Sequence, residues 1–159
     1  MSLDRFTELA GGLDHPEGVA WSPPGHVIAG GEAGQVYRIG LDGSVERIAA
    51  TGGFIYGVAL DADGNIYACD FGNASVARIS PDAELSTYST GTPERPMRVP
   101  NFAAFDDEGN LFVTDSGTGA WTTTRSSESR PVGRRPSGRA SLGGTRTAVA
   151  SPPTADRSS

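Results

Sequence analysis

The stretch Gly57-Val-Ala-Leu-Asp-Ala-Asp-Gly-Asn-Ile-Tyr-Ala68 has two counterparts in this chain. They are Gly18-Val-Ala-Trp-Ser-Pro-Pro-Gly-His-Val-Ile-Ala29 and Phe102-Ala-Ala-Phe-Asp-Asp-Glu-Gly-Asn-Leu-Phe-Val113, and the three align without a gap. The glycine inside the phrase recurs after 39 and then 45 residues. Each copy joins two short apolar runs through a tight turn, a pattern that predicts a β-hairpin.

The repeating unit is larger than this hairpin. Gln35-Val-Tyr-Arg-Ile39 returns as Ser75-Val-Ala-Arg-Ile79, so whole four-stranded units recur. A period of roughly 40 residues made of short strands is typical of the blades of a β-propeller. The repeat fades near Gly117, in the middle of the third unit. The sequence therefore predicts an all-β fold of about two and a half blades, the N-terminal part of a β-propeller.

The chain changes character at the point where the repeat ends. Residues 1–117 hold 6 Arg against 17 Asp and Glu, whereas residues 118–159 hold 7 Arg against 2 acidic residues. The second segment is rich in Ser, Thr, Arg, Pro and Gly and has Trp121 as its one aromatic residue. Such a composition buries too little apolar surface to offset the entropy of ordering. We predict a partial propeller over 1–117 and a disordered tail over 118–159.

Two origins fit this tail. It could be a basic linker that contacts an acidic or anionic partner. It could also result from translation in a shifted reading frame, because a GC-rich gene read out of frame gives a composition of this kind. The loss of the repeat inside a blade favours the shifted frame, since natural domain ends usually fall between structural units.

Composition also limits the partners and the compartment. The acidic body argues against nucleic acid, which needs clustered positive charge. Cys69 is the only cysteine, so the sequence predicts no disulfide and no cysteine-based metal site. We expect no membrane association and a cytoplasmic location, because the N-terminus lacks the features of a signal peptide and no apolar run approaches the roughly 20 residues of a membrane span.

The blades resemble the regucalcin/gluconolactonase family, which includes the senescence marker protein-like and sugar lactone lactonases. The resemblance covers roughly residues 13–117 and is carried by His15-Pro-Glu-Gly-Val-Ala-Trp21, Gly30-Gly-Glu-Ala-Gly-Gln-Val-Tyr-Arg-Ile39 and Pro100-Asn-Phe-Ala-Ala-Phe-Asp-Asp-Glu-Gly-Asn-Leu-Phe-Val-Thr-Asp-Ser116. It implies a truncated six-bladed propeller. It also implies a hydrolase that opens a sugar or related lactone with water activated by one divalent cation, Ca²⁺ or Zn²⁺, at the propeller axis.

The resemblance also implies site residues. The family places its ligands just before each inner strand, and on this chain that position falls on Glu17, Tyr56 and Asn101. Glu17 is then the expected metal ligand, while Tyr56, Asn101 and Arg98 are expected to contact substrate. Arg98 lies three residues before Asn101, one further than in the family pattern. The remaining ligands and the general base have no counterpart here, so the catalytic residues are unknown and we expect the chain to be inactive as written.

Other readings stay open. Propellers of the NHL type share the Asp-x-x-Gly-Asn-Leu phrase and act as non-catalytic binding modules, and fold alone does not decide function. The half-propeller could also need a partner chain, or associate with itself through its exposed blade edge. We read Asp61 and Asp106 as turn residues rather than calcium ligands, because acidic residues before glycine are ordinary in hairpins. His15 and His26 are expected to be structural or exposed.

Overall fold

The computed structural model describes residues 6–23 and 25–117, together with the backbone of 147–149. All the regular elements among these residues are β-strands. The prediction of a disordered tail over 118–159 falls mostly outside the described residues. Within the described part of the chain, no helix has the length and apolar character required to cross a membrane.

Two complete four-stranded antiparallel sheets form the first part of the chain. Each is a meander in which neighbours in sequence are neighbours in the sheet, as expected for a propeller blade. The strands of the first sheet are β1 (Val19–Ser22), β2 (His26–Gly30), β3 (Gln35–Gly40) and β4 (Val45–Ala50). Those of the second sheet are β5 (Ile55–Leu60), β6 (Ile66–Asp70), β7 (Ser75–Ile79) and β8 (Leu85–Ser89).

A short hairpin precedes the third sheet. This hairpin, β9 (Gly91–Thr92) and β10 (Arg95–Pro96), was not predicted from the sequence. The third sheet contains β11 (Pro100–Phe105), β12 (Leu111–Asp115) and β13 (Thr147–Val149). The first two of these strands were predicted, whereas β13 comes from the segment predicted as the tail and pairs antiparallel with β12.

The turns explain why the repeated phrase folds in this way. Gly64 and Gly109 have φ of 82° in the left-handed region, which glycine adopts without steric cost. Asp61 accepts hydrogen bonds at Oδ1 from the backbone N–H groups of Asp63 and Asn65, at 3.0 and 2.9 Å. Asp106 makes the equivalent bonds in the third sheet. The reading of Asp61 and Asp106 as turn residues is therefore confirmed.

The core lies between the sheets, in two layers. One layer packs Ile28 and Val36 of the first sheet against Ile55, Val58 and Ile79 of the second. The other layer packs the opposite face of the second sheet, including Cys69 and Val76, against Ala103, Leu111 and Val113 of the third. All five residues of β6 are buried, because the second sheet has a neighbour on each side. The sheets thus stack face to face around a common axis.

Candidate functional site

The three inner strands β1, β5 and β11 start at the same end of the sheet stack. Glu17, Tyr56 and Asn101, the residues at the equivalent position of each blade, line one open cavity of about 540 Å³. Gly18, Val19, Gly57 and Phe102 line it as well. The structure thus brings together the three residues that the family resemblance placed at the channel. Their individual roles stay predictions.

In the first two blades a glycine directly follows the site residue: Gly18 follows Glu17, and Gly57 follows Tyr56. These glycines let the inner strands approach one another. A Cβ atom at Gly18 would lie 2.5 Å from the carbonyl oxygen of Tyr56. A Cβ atom at Gly57 would lie 2.6 Å from the carbonyl oxygen of Asn101. Both neighbours are backbone atoms that a side chain could not displace cheaply. The equivalent position in the third sheet carries Phe102, which is 56% exposed.

The cavity walls differ from blade to blade. Glu17 is exposed, and its Oε1 lies 3.6 Å from Nε2 of His15. Tyr56 is half-buried, and its ring stacks on Phe71 with a centroid distance of 5.4 Å and an interplanar angle of 6°. Asn101 is exposed. The cavity therefore has a charged side, an aromatic side and an amide side.

Arg98 does not line this cavity. It is exposed, and its backbone N–H donates to Oδ2 of Asp115 at 2.9 Å. The same carboxylate accepts from the backbone N–H groups of Val99 and Gly117, both at 2.9 Å. Asp115 thus holds the chain that leads into β11. The expected contact between Arg98 and substrate stays a prediction.

Four residues at this end of the molecule were not assigned to the site from the sequence: His15, Glu32, Phe54 and Phe71. The family resemblance identifies only the single residue before each inner strand and therefore does not include these four. The gapless repeat contained the signal. Phe54 and His15 stand three residues before Gly57 and Gly18, while Phe71 and Glu32 stand 14 residues after them. Equivalent positions of successive blades lie at the same end of a propeller.

The oxygen ligands at this site are of the type that a hard cation prefers, but the described residues supply too few of them. Carboxylate and amide oxygens such as those of Glu17 and Asn101 are the ligands that Ca²⁺ prefers, but Ca²⁺ takes about six to eight of them. Among the described residues, no group of three or more His, Cys, Asp or Glu is placed to hold a metal ion. The described part of the chain therefore does not form a complete cation site.

Comparison with family models and with curated proteins gives no match. Solved structures do match. A gluconolactonase from Xanthomonas campestris is 22% identical, with a TM-score of 0.59 over 65% of this chain and 35% of that protein. A structural genomics target assigned as a gluconolactonase is 21% identical, with a TM-score of 0.60 over 69% and 39% of the two chains. Virginiamycin B lyase from Staphylococcus aureus is 18% identical, with a TM-score of 0.53 over 63% and 34%.

These matches show the fold. The chain is all-β and forms a partial β-propeller, so the predicted fold class is confirmed. Gluconolactonases are among the structures with this fold, which agrees with the resemblance at the level of a distant, gluconolactonase-like architecture. This chain spans between 34% and 39% of the length of the solved structures given above.

Proposed function

We propose that this chain is the front part of a lactonase-type hydrolase whose substrate is a sugar or related lactone. The observation that carries the proposal is the convergence of Glu17, Tyr56 and Asn101, from three successive blades, on one cavity. The fold shared with gluconolactonases supports it. In the proposal, Glu17 would help to hold one Ca²⁺ or Zn²⁺ ion, and the chemistry supplied by such an ion would be polarisation of the lactone and a lowered pKa of a water molecule.

The proposal gives a role to three residues of this chain. Glu17 supplies a carboxylate ligand to the cation, and the amide of Asn101 offers hydrogen bonds to the lactone oxygens. Tyr56 forms an aromatic wall beside them, stacked on Phe71. We expect this chain alone to bind a cation weakly and without turnover, because Glu17 is the one carboxylate among the described residues that line the cavity.

Cation binding by the purified chain tests the proposal. Calorimetric titration with Ca²⁺ and with Zn²⁺ is expected to show binding to the wild type and at least about tenfold weaker binding to Glu17→Gln, about 1.4 kcal/mol. Glu108→Gln is the matched control, because Glu108 is exposed and lies in the turn between β11 and β12, at the other end of the stack. Hydrolysis of glucono-1,5-lactone is followed in parallel with a pH indicator.

Two results would contradict the proposal. Equal cation binding by the wild type and Glu17→Gln would remove the metal role of Glu17 and favour a non-catalytic binding module of the NHL type. Lactone turnover that persists in Glu17→Gln would separate hydrolysis from this site. Turnover by the wild type that disappears in Glu17→Gln would keep the site and overturn only the expected inactivity of the chain.

A second proposal concerns the partner. The first and third sheets each present apolar side chains at the open ends of the stack, with Val19 68% and Trp21 57% exposed at one end and Phe102 at the other. In the second sheet, which has neighbours on both sides, the core residues of β5 and β6 are buried. The open faces therefore favour association of this half-propeller with a second copy of itself.

A further inference from the structure

The first two sheets each carry three side chains at the end of the stack where Glu17 and Tyr56 line the cavity, and the two triplets differ sharply in chemistry. They occupy the positions three residues before, one residue before and 14 residues after Gly18 and Gly57. We call the six side chains from the first two sheets the mouth set. It consists of the polar triplet His15, Glu17 and Glu32 and the aromatic triplet Phe54, Tyr56 and Phe71.

The polar triplet is built around one imidazole. Nδ1 of His15 lies 3.1 Å from Oε2 of Glu32, and Nε2 of His15 lies 3.6 Å from Oε1 of Glu17. The three side chains are between 45% and 62% exposed. Each carboxylate keeps its other oxygen without a partner among the described residues. Two carboxylates thus face solvent around a single imidazole.

The backbone of His15 is held in an unusual conformation. Its φ is 43°, in the left-handed region, and the residue precedes Pro16. A residue before proline normally adopts an extended conformation, so this conformation costs free energy. The contacts of its side chain with Glu17 and Glu32 help to hold it. His15 therefore keeps the two carboxylates close together at some local cost in stability.

The aromatic triplet forms a continuous surface beside the polar one. Ring centroids are 4.8 Å apart for Phe54 and Tyr56, 5.4 Å for Tyr56 and Phe71, and 6.3 Å for Phe54 and Phe71. His15 bridges the two triplets, because its ring centroid lies 6.1 Å from that of Phe54. Phe71 is partly exposed, so the aromatic surface is accessible to a ligand.

Carboxylates beside aromatic ring faces have a definite chemical preference. An ammonium group gains a charge-assisted hydrogen bond from a carboxylate and electrostatic attraction from a ring face within about 6 Å. A flat ring on the same ligand gains further by stacking on the aromatic surface. The net charge of residues 1–117, with 17 acidic residues against 6 Arg, adds a field that attracts cations.

From this juxtaposition we infer that the mouth set binds an organic cation that carries a flat ring, such as an arylalkylammonium. The ammonium group pairs with Glu32 and Glu17, and the ring stacks on the face of Phe71 that is not stacked on Tyr56. This binding goes beyond the proposed hydrolysis. It shares Glu17 and Tyr56 with that proposal, whereas Glu32 and Phe71, the two residues changed in the test below, contact neither the cation nor the lactone there.

Three small probes test the inference by NMR titration of the ¹⁵N-labelled chain. 2-Phenylethylammonium carries both ring and charge, 2-phenylethanol carries the ring alone, and n-butylammonium carries the charge alone. We expect 2-phenylethylammonium to bind about tenfold more tightly than either of the others, with shifts at the amides of residues 54 and 71. A tenfold difference corresponds to about 1.4 kcal/mol.

Two variants identify the site. Glu32→Gln and Phe71→Leu are each expected to weaken binding of 2-phenylethylammonium at least about fivefold, as loss of a charge-assisted contact or a ring contact predicts. Glu108→Gln and Phe6→Leu are the matched controls, because both residues are exposed and lie outside the mouth set. The amide spectrum of each variant confirms that the fold is kept.

The inference is overturned by any of three results. The first is no binding of 2-phenylethylammonium at about 10 mM, which corresponds to a binding free energy weaker than about 3 kcal/mol. The second is equal binding of the ammonium and the alcohol, or of the aryl and the butyl ammonium. The third is unchanged affinity in both Glu32→Gln and Phe71→Leu.

Discussion

Asp70 is a buried carboxylate that joins two connections at the mouth end of the second sheet. Its Oδ1 accepts from the backbone N–H groups of Phe54 and Asn73, at 3.2 and 3.1 Å, and its Oδ2 accepts from Nδ2 of Asn73 at 2.7 Å. The carboxylate is 1% exposed, so these hydrogen bonds replace the water that it would otherwise contact. One side chain therefore positions the residues that lead into β5 and those that follow β6.

Removing this carboxylate is expected to be costly. Asp70→Ala should lower the free energy of unfolding by about 1–3 kcal/mol, because the backbone N–H of half-buried Phe54 loses this acceptor. Asp70→Asn keeps one acceptor oxygen and should lose about half as much. Urea denaturation followed by circular dichroism measures both, with the exposed Asp107→Ala as control. A loss for Asp70→Ala no larger than that of the control would contradict the assigned role.

Tyr67 makes stability depend on pH in the alkaline range. Burial raises the pKa of its hydroxyl to about 12, and the nearby carboxylate of Asp61, which accepts its hydrogen bond, adds to this effect. In the unfolded chain a tyrosine has a pKa of about 10. The stabilising contribution is therefore complete below pH 10 and is lost as the pH rises through about 12, because the unfolded state releases the proton first.

The test compares the wild type with Tyr67→Phe between pH 8 and pH 12. The free energy of unfolding of the wild type should fall by up to about 2 kcal/mol more than that of Tyr67→Phe over this interval. Cys69, whose pKa burial also raises to about 12, contributes equally to both proteins. Parallel curves for the two proteins would show that Tyr67 does not titrate in this way.

At the scale of the elements, contact between inner strands depends on Gly18 and Gly57. We expect Gly57→Ala to lower the free energy of unfolding by about 2–3 kcal/mol, because the new methyl group meets the backbone of Asn101 and Phe102 and pushes β5 from β11. Gly64→Ala adds only backbone strain at a positive φ, since Pro81 at 3.9 Å is its nearest neighbour, and should cost about 1 kcal/mol.

Urea denaturation of these two variants separates overpacking from strain. The critical result is whether Gly57→Ala lowers the free energy of unfolding more than Gly64→Ala does. A milder effect for Gly57→Ala than for Gly64→Ala would mean that the inner strands can move apart without loss of packing.

The strands that the sequence predicted are those with a repeated pattern. β6 was predicted because an apolar run follows an Asp-x-x-Gly turn, and the repeat located β11 in the same way. The hairpin of β9 and β10 has neither a repeat nor an apolar alternation, and its two-residue strands carry no periodic signal. β13 follows a long segment without apolar pattern, so local sequence gave no reason to pair it with β12.

The candidate site also has a part that the sequence predicted and a part that it did not predict. Glu17, Tyr56 and Asn101 could be placed together because they precede equivalent strands. The contact between His15 and Glu32 could not be predicted from the sequence, because it depends on the path of the loop after β2 and on the left-handed backbone of His15. Sequence spacing gives the end of the stack at which a residue lies, but side-chain contacts there depend on loop conformation.

At the scale of the whole molecule, the part of the ring that the structure describes has two open faces. We expect the chain to associate in a concentration-dependent way, since Val19 and Trp21 at one face and Phe102 at the other are more than half exposed. Light scattering after size exclusion should show dimers at about 100 µM, and Phe102→Ser should shift the equilibrium toward monomer, because an exposed apolar side chain contributes about 1.5–3 kcal/mol when buried.

The control is Leu41→Ser, at an exposed apolar residue in the turn between β3 and β4. A wild type that stays monomeric at this concentration would contradict the association, as would equal effects of Phe102→Ser and Leu41→Ser. Association that Phe102→Ser leaves unchanged would point to a different surface.

Phe102 also sets the spacing around the axis. Gly18 and Gly57 allow the next inner strand to pass at van der Waals distance, whereas the third position holds a phenyl ring. A surface that packed against β11 at this position would stand further away than the neighbours of Gly18 and Gly57 do, because the phenyl ring would lie between them. We therefore expect the channel wall to be tightest between the first three inner strands and wider on the side of β11 that carries Phe102.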